Sequence, residues 1–327
     1  MSLRILVTSV LTAALPAIQA LAPAAADTHL FPVIASNSPN VVTLVSVGNR
    51  EGGISTHLSY LYRYKAALTV ELTPNTDGSC DSTQFARPTF NGDLVTFDAS
   101  GYLNDGNALF GDTNDYEDSF DIGLAGPVRA YLLVSNAAAT GRRVDDGHPR
   151  DVFGDFIVID IASGGAWGGK GVNDTIREDY TFINAEHEGG GVWAALPANG
   201  FTNRRITFLP PSEWTTRFFV TPIGSNMDTA NLTASVGLLH DTGVFDRQGI
   251  NHYFAPISHT VRCTGAVNLE DLMDSTVWSA VENVGGWARF AVESGDAVVY
   301  KLDYTADNST YGGTVNNGYL LSGFTLP

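Results

Sequence analysis

The chain has 327 residues, enough for one large domain or two ordinary ones, and at 44% hydrophobic and 16% charged it is too apolar to be disordered. Acidic residues outnumber basic ones 35 to 18, and the resulting formal charge of −17 argues against nucleic acid or an anionic membrane surface as partner. Two cysteines exclude a disulfide-scaffold mini-protein, a four-cysteine zinc site and a cysteine-ligated iron–sulfur cluster.

Residues 1–26 read as a cleaved signal peptide. Arg4 supplies a short positive start, residues 5–21 are largely apolar, and Ala24-Ala25-Ala26 set small side chains just before Asp27. The competing reading is an uncleaved anchor; Pro16 and the acidic start of the mature chain favour cleavage. No cysteine stands at the cleavage point for lipid attachment. No later run approaches the ~18 apolar residues that a membrane span needs. The expected mature chain is soluble and exported to the periplasm, the cell surface or the medium, with the general look of exported bacterial β-rich proteins. Its only lysines are Lys65, Lys170 and Lys301. Few ammonium stems and many short carboxylates suit a saline habitat, and a GC-rich genome produces the same bias.

From there the apolar residues recur with a period of two. Residues 41–47 form the first expected strand. In 54–65, Ile54, Thr56, Leu58, Tyr60, Tyr62 and Tyr64 share one face while Ser55, His57, Ser59, Leu61, Arg63 and Lys65 lie on the other, which predicts a half-buried strand. Strands are expected next at 94–98 and 128–134. The continuous apolar run Phe156-Ile157-Val158-Ile159 predicts a strand covered on both faces. Further strands are expected at 217–223, 232–239 and 287–292, and 298–305 alternates like 54–65. The best helix signal is short: Asn268 as cap, then Glu270 and Asp271, with Leu269, Leu272 and Met273 on one face. Turn residues such as Asn91-Gly92, Asp146-Gly147 and Gly312-Gly313 separate the runs. The fold class expected is all-β with minimal helix: two antiparallel β-sandwich units, Ig-like or jelly-roll-like, packed together.

A weak internal echo supports two units. Leu44-Val45-Ser46-Val47-Gly48-Asn49 resembles Val220-Thr221-Pro222-Ile223-Gly224-Ser225-Asn226, allowing one extra residue. A cysteine follows 31 residues after Asn49 and 37 after Asn226, and then a strand with a central phenylalanine, Phe97 or Phe290. Pro210-Pro211-Ser212 breaks the ladder and is the natural boundary, dividing the chain into 27–211 and 212–327. If the halves pack around a pseudo-twofold axis, Cys80 and Cys263 can meet there, and an oxidising compartment with two cysteines predicts that they form a disulfide.

Catalytic motifs are missing: the chain has no G-x-S-x-G, no H-E-x-x-H and no P-loop. His187, in Glu186-His187-Glu188 before three glycines, has metalloprotease residue types without the spacing and reads as a hairpin tip. His252, His259 and Cys263 offer soft-metal ligands, against which the disulfide is the simpler account of the cysteine. The densest oxygen-ligand segment supplies Asp112, Asn114, Asp115, Glu117 and Asp118, flanked by Asp105 and Asp121. Calcium is the cofactor such a loop invites, and an ordinary solvated acidic loop is the alternative. Trp167 sits among glycines in Ser163-Gly164-Gly165-Ala166-Trp167-Gly168-Gly169, an arrangement that suits either close approach to a ligand or a long hairpin. The function expected is non-catalytic: an exported, cell-surface or extracellular β-sandwich with a structural or ligand-binding role. Its partners would be cell-surface glycan or another surface protein. The rival is a secreted polysaccharide-active enzyme whose carboxylates cannot be picked out of 35 acids.

Overall fold

The computed structural model describes residues 28–36, 40–49, 57–66, 80–111, 118–124, 127–141, 152–161, 164–173, 186–187, 190–191, 203–223, 227, 231–305 and 319–320. The expected signal peptide lies outside them. The first half carries β1 (Thr28–Ser36), β2 (Val41–Asn49), β3 (His57–Ala66), β4 (Asp81–Pro88), β5 (Leu94–Asp98), β6 (Ala108–Gly111), β7 (Val128–Ala137), β8 (Val152–Asp160), β9 (Gly165–Lys170) and β10 (Val172–Asn173). A two-strand hairpin comes next, β11 (Glu186–His187) and β12 (Gly190–Gly191). The second half carries β13 (Asn203–Phe208), β14 (Trp214–Ile223), β15 (Thr233–Leu238), β16 (Val244–Asp246), β17 (Asn251–His252), β18 (Ser258–Arg262) and β19 (Gly265–Asn268). After α1 (Ser275–Val281) come β20 (Gly286–Ser294), β21 (Asp296–Thr305) and β22 (Tyr319–Leu320). The molecule is all-β and every pairing is antiparallel, as the period of two predicts.

The strands form a stack of four sheets. Sheet A has the order β6-β5-β2-β8-β9 and sheet B the order β10-β1-β7-β3-β4. Sheet C runs β19-β14-β21-β22, and sheet D runs β17-β16-β20-β15-β18 with β13 also on β20. Sheets A and B enclose an aromatic core in which Phe97 stacks on Phe120 and both meet Tyr60 edge-on. Sheets C and D enclose a second, around Phe218 stacked on Phe290. The outer face of C then packs on the outer face of B and on the β8–β9 edge of A, which buries the central strands of B and C on both sides. β1 and β7 have no exposed residue, and β14 and β21 have none beyond half-buried ends, while β4 at the edge of B stays half-buried or exposed.

That packing reverses two sequence expectations. The alternating runs at 54–65 and 298–305 were to have one wet face, yet they became β3 and β21 in the middle sheets. Arg63 and Lys65 are buried, as are Lys301 and Asp303, which form an ion pair. Conversely the continuous run Phe156–Ile159 lies in outer sheet A, where Ile157 is exposed. A run is continuous because both of its faces are apolar; whether a neighbour covers both is decided elsewhere in the chain.

The halves repeat one another. β1 pairs β7 as β13 pairs β20; β3 pairs β4 and β7 as β15 pairs β18 and β20. In the other pair of sheets, β2 pairs β5 and β8 as β14 pairs β19 and β21, and β8 pairs β9 as β21 pairs β22. Sheet A therefore corresponds to C, and B to D. The β16–β17 hairpin and α1 are additions of the second half. β13, which precedes Pro210-Pro211-Ser212 in the chain, pairs with β20 of sheet D.

The echo located the right strands, β2 and β14, but in the wrong register. Leu44 faces out of its sandwich, whereas Val220 lies in the core between C and D. A slip of one residue turns a side chain to the opposite face. Nor are the cysteines equivalent: Cys80 precedes β4, and Cys263 follows β18, the counterpart of β4. Phe97 stands on β5 and Phe290 on β20, the counterpart of β7. The disulfide between Cys80 and Cys263 does form, with Cα atoms 5.5 Å apart across 183 positions, and it joins the two halves. It joins positions that are not counterparts of one another in the repeat.

The short helix signal resolves into two pieces. Residues Leu269–Leu272 make one 3-10 turn in which the Asp271 carboxylate accepts from the Asn268 N–H at 3.1 Å. Asp274 then caps α1, accepting from the N–H groups of Thr276 and Val277 at 2.9 Å each.

Candidate functional site

The sequence-derived ligands do not come together among the described residues. Asp112, Asn114, Asp115 and Glu117 lie outside them. Asp118 is exposed and lies 3.7 Å from Arg87, and Asp121 accepts from the Ser119 hydroxyl. Asp98 is buried and holds the loop after β5: it accepts from Thr43 N, Ser100 N and Ser100 Oγ through one oxygen and from Leu103 N through the other. Of the soft-metal trio, Cys263 is a disulfide sulfur, His259 Nε2 bonds the Asp271 carbonyl at 2.7 Å, and His252 Nε2 bonds Asp246 at 3.0 Å. The His252 contact holds the Asp246 carboxyl below its ordinary range. His187 sits on β11, opposite Gly190 in its hairpin.

Trp167 is a core residue. Its indole is 5% exposed and stacks on Phe219 of sheet C at 5.2 Å, with Phe156 edge-on. The neighbouring glycines are explained by the protein itself. A Cβ on Gly168 would stand 2.0 Å from the Phe156 carbonyl oxygen, and one on Gly169 would stand 2.8 Å from the Tyr300 hydroxyl. That hydroxyl donates to the Lys170 carbonyl at 2.9 Å. The close approach that glycine permits at position 169 is therefore made by sheet C.

Two surfaces stand out instead. On the outer face of sheet A, Leu44 lies opposite Ile157, Gly48 lies between Leu94 and Phe153, and Phe110 lies opposite Thr96. Phe110 is 67% exposed, Leu94 52%, Phe153 50% and Ile157 45%. The end of the Phe153 ring lies against Gly48, where a Cβ would fall 2.2 Å from its tip. These apolar side chains are open to solvent, and between the Leu94–Phe153 row and the Leu44–Ile157 row runs a polar row of Thr96, Ser46 and the exposed pair Asp155 and Lys170. Several large apolar side chains exposed together on one sheet face mark a surface suited to contact with another molecule.

The outer face of sheet D differs. Arg205 and Arg289 are direct cross-strand partners, and beside them Thr207 and Phe245 flank Trp287. The Phe245 and Trp287 rings stack at 4.2 Å, and the Arg205 guanidinium lies 5.9 Å from the indole. Like charges directly opposite each other are destabilising in a sheet, more so when neither has a carboxylate within ion-pair distance among the described residues. Sequence reasoning missed both surfaces. The apolar residues of β8 and the arginines of β13 and β20 are plain in the chain, but no pattern in it says which faces stay open.

Compared with known proteins, the chain matches no family model, no curated protein and no solved structure. Among the described residues no helix is long and apolar enough to cross a membrane.

Proposed function

We propose that this is an exported, cell-surface or extracellular β-sandwich protein with a non-catalytic role, structural or ligand-binding, carried by sheet surfaces rather than by a cleft. The observation that carries this reading is the exposed apolar face of sheet A, a surface suited to holding another molecule by contact. The disulfide supports the compartment, because bonds of this kind persist outside a reducing cytosol. The apolar N-terminal segment ending at Ala26 supports export. Calcium at the 112–118 loop remains part of the proposal as a stabiliser of that acidic segment.

Fractionation of the native host tests it. The expected result is a protein starting near Asp27, with Cys80 and Cys263 in one peptide before reduction, retained with envelope or extracellular material. Replacing Phe153 with Asp should release it into the soluble medium. A cytosolic, full-length chain with free thiols would overturn the reading, and so would hydrolysis of a polysaccharide by the purified protein.

A further inference from the structure

The contact between the two halves is a head-to-tail contact. It sets the outer face of C, in the second half, against the outer face of B and against Phe156 and Trp167 at the β8–β9 edge of A, in the first; within the repeat B corresponds to D, and C to A. Among the described sheets this leaves one uncovered face of each kind: A, the counterpart of C, and D, the counterpart of B.

The chemistry of the faces shows the same division. Face B brings cations and an aromatic ring, with Lys65 opposite Arg129 and Arg63 opposite Tyr131. Face C brings aromatic and aliphatic side chains, with Phe219 opposite Tyr300 and Arg217 opposite Leu302. At their contact the Arg129 guanidinium lies 5.5 Å from the Phe219 ring, and around it side chains of B reach the rest of the second half: Lys65 Nζ donates to the carbonyl of Arg262 at the end of β18 at 2.9 Å, and Tyr131 donates to the carbonyl of Met227, between β14 and β15, at 3.1 Å. Thr221 Oγ1 donates to the Pro32 carbonyl at 2.6 Å. The unused faces repeat this complementarity. Face D offers Arg205, Arg289 and Trp287, and face A offers Phe110, Phe153, Leu94 and Ile157.

We propose that the chain associates with copies of itself head to tail, face D of one molecule docking on face A of the next, in the manner that B docks on C within one chain. The outward arginines of D then lie over the aromatic rings of A, where burial strengthens the cation–π contact. Because the two surfaces differ, each added copy presents a fresh face A or D, and growth is open-ended unless the rotation per copy closes a ring. The intramolecular contact has a tether and a disulfide that the intermolecular one lacks, so association is reversible and rises with concentration. This inference rests on the structural side of the proposed function and deepens it.

Sedimentation velocity on the purified, oxidised chain over a wide concentration range tests it, with Phe153→Asp on face A and Arg289→Glu on face D. The average mass of the unaltered protein should climb with concentration beyond that of a dimer. Each variant alone should remain monomeric, and an equal mixture of the two should form dimers and nothing larger, since each keeps one intact face. Circular dichroism and an intact disulfide serve as the folding check at these surface positions.

Self-association is overturned by a protein monomeric at every concentration, by loss with one variant only, or by a mixture that stays monomeric. It is equally overturned if the monomer binds phosphatidylcholine vesicles or a soluble glucan through face A without associating. A monomer that is still exported and oxidised defeats only this inference, whereas a cytosolic, reduced chain defeats the functional reading.

Discussion

Sheets A and C occupy the same place in the repeat and share the same strand pairings, yet their outer faces have opposite fates. Phe219 and Tyr300 on C are covered by sheet B and by Trp167, while Phe153 and Phe110 on A face solvent. Both faces are rich in aromatic and aliphatic residues, so composition does not separate them. What separates them is what lies against each: C has the first half of the chain to pack on, whereas residues of A such as Phe153 and Phe110 meet no other described sheet. Burial here is a property of the neighbour as much as of the strand.

The contrast can be broken most forcefully at the disulfide that holds the covered side together. Replacing Cys80 and Cys263 with serine should cost up to about 5 kcal/mol, the chain-entropy limit for so long a loop. Calorimetry should show the melting temperature falling and the two halves beginning to unfold separately. A variant that melts like the parent would show that the B–C contact needs no lock.

Next, Phe219→Ala empties a ring position between B and C and should destabilise by about 3–5 kcal/mol in chemical denaturation. Loss of under about 1 kcal/mol would mean that the covered face is covered loosely.

A third measurement reports on the A–B core. His29 is buried, its Nε2 on the Gly154 carbonyl at 3.2 Å, and burial pushes its pKa down to about 4. The unfolded chain therefore takes up the proton first, near pH 6.5, and the folded chain only near pH 4. Stability should be complete above pH 6.5 and should fall by about 3 kcal/mol as pH drops to 4. His29→Leu should flatten that part of the profile, because Gly171 N still donates to the same carbonyl. An unchanged acid limb in the variant would remove His29 as its cause.

The smallest effect is expected on the open face. Phe153→Ala should change monomer stability by no more than about 0.5 kcal/mol. A cost of several kcal/mol in dilute protein would show that face A is covered within the monomer and would erase the contrast.

Much of the local structure is legible in the residues. Strands at 41–47, 94–98, 128–134, 217–223, 232–239 and 287–292 appear close to their expected bounds because period-two alternation is a property of the chain itself. Strands β1, β4 and β16 to β19 lack a long alternating run, and nothing in the pattern marks them. The candidate site is legible only as ingredients. Ile157 belongs to a conspicuous run, but Phe110, Arg205 and Arg289 carry no motif, and Trp167 misleads because its glycines serve contacts within the protein, one of them made from the other half of the chain.

By itself, then, the sequence determined the all-β class and the pairing of its two cysteines, the first a matter of short-range pattern and the second of there being no other partner. Tertiary structure alone decided which sheets became inner layers. It buried Lys65 and Lys301 on strands that looked half wet, and it left Ile157 open on a strand that looked dry. The physical reason is that alternation records how a strand divides its side chains between two faces. What each face meets depends on residues more than a hundred positions away, as Trp167 and Tyr300 meet across 133.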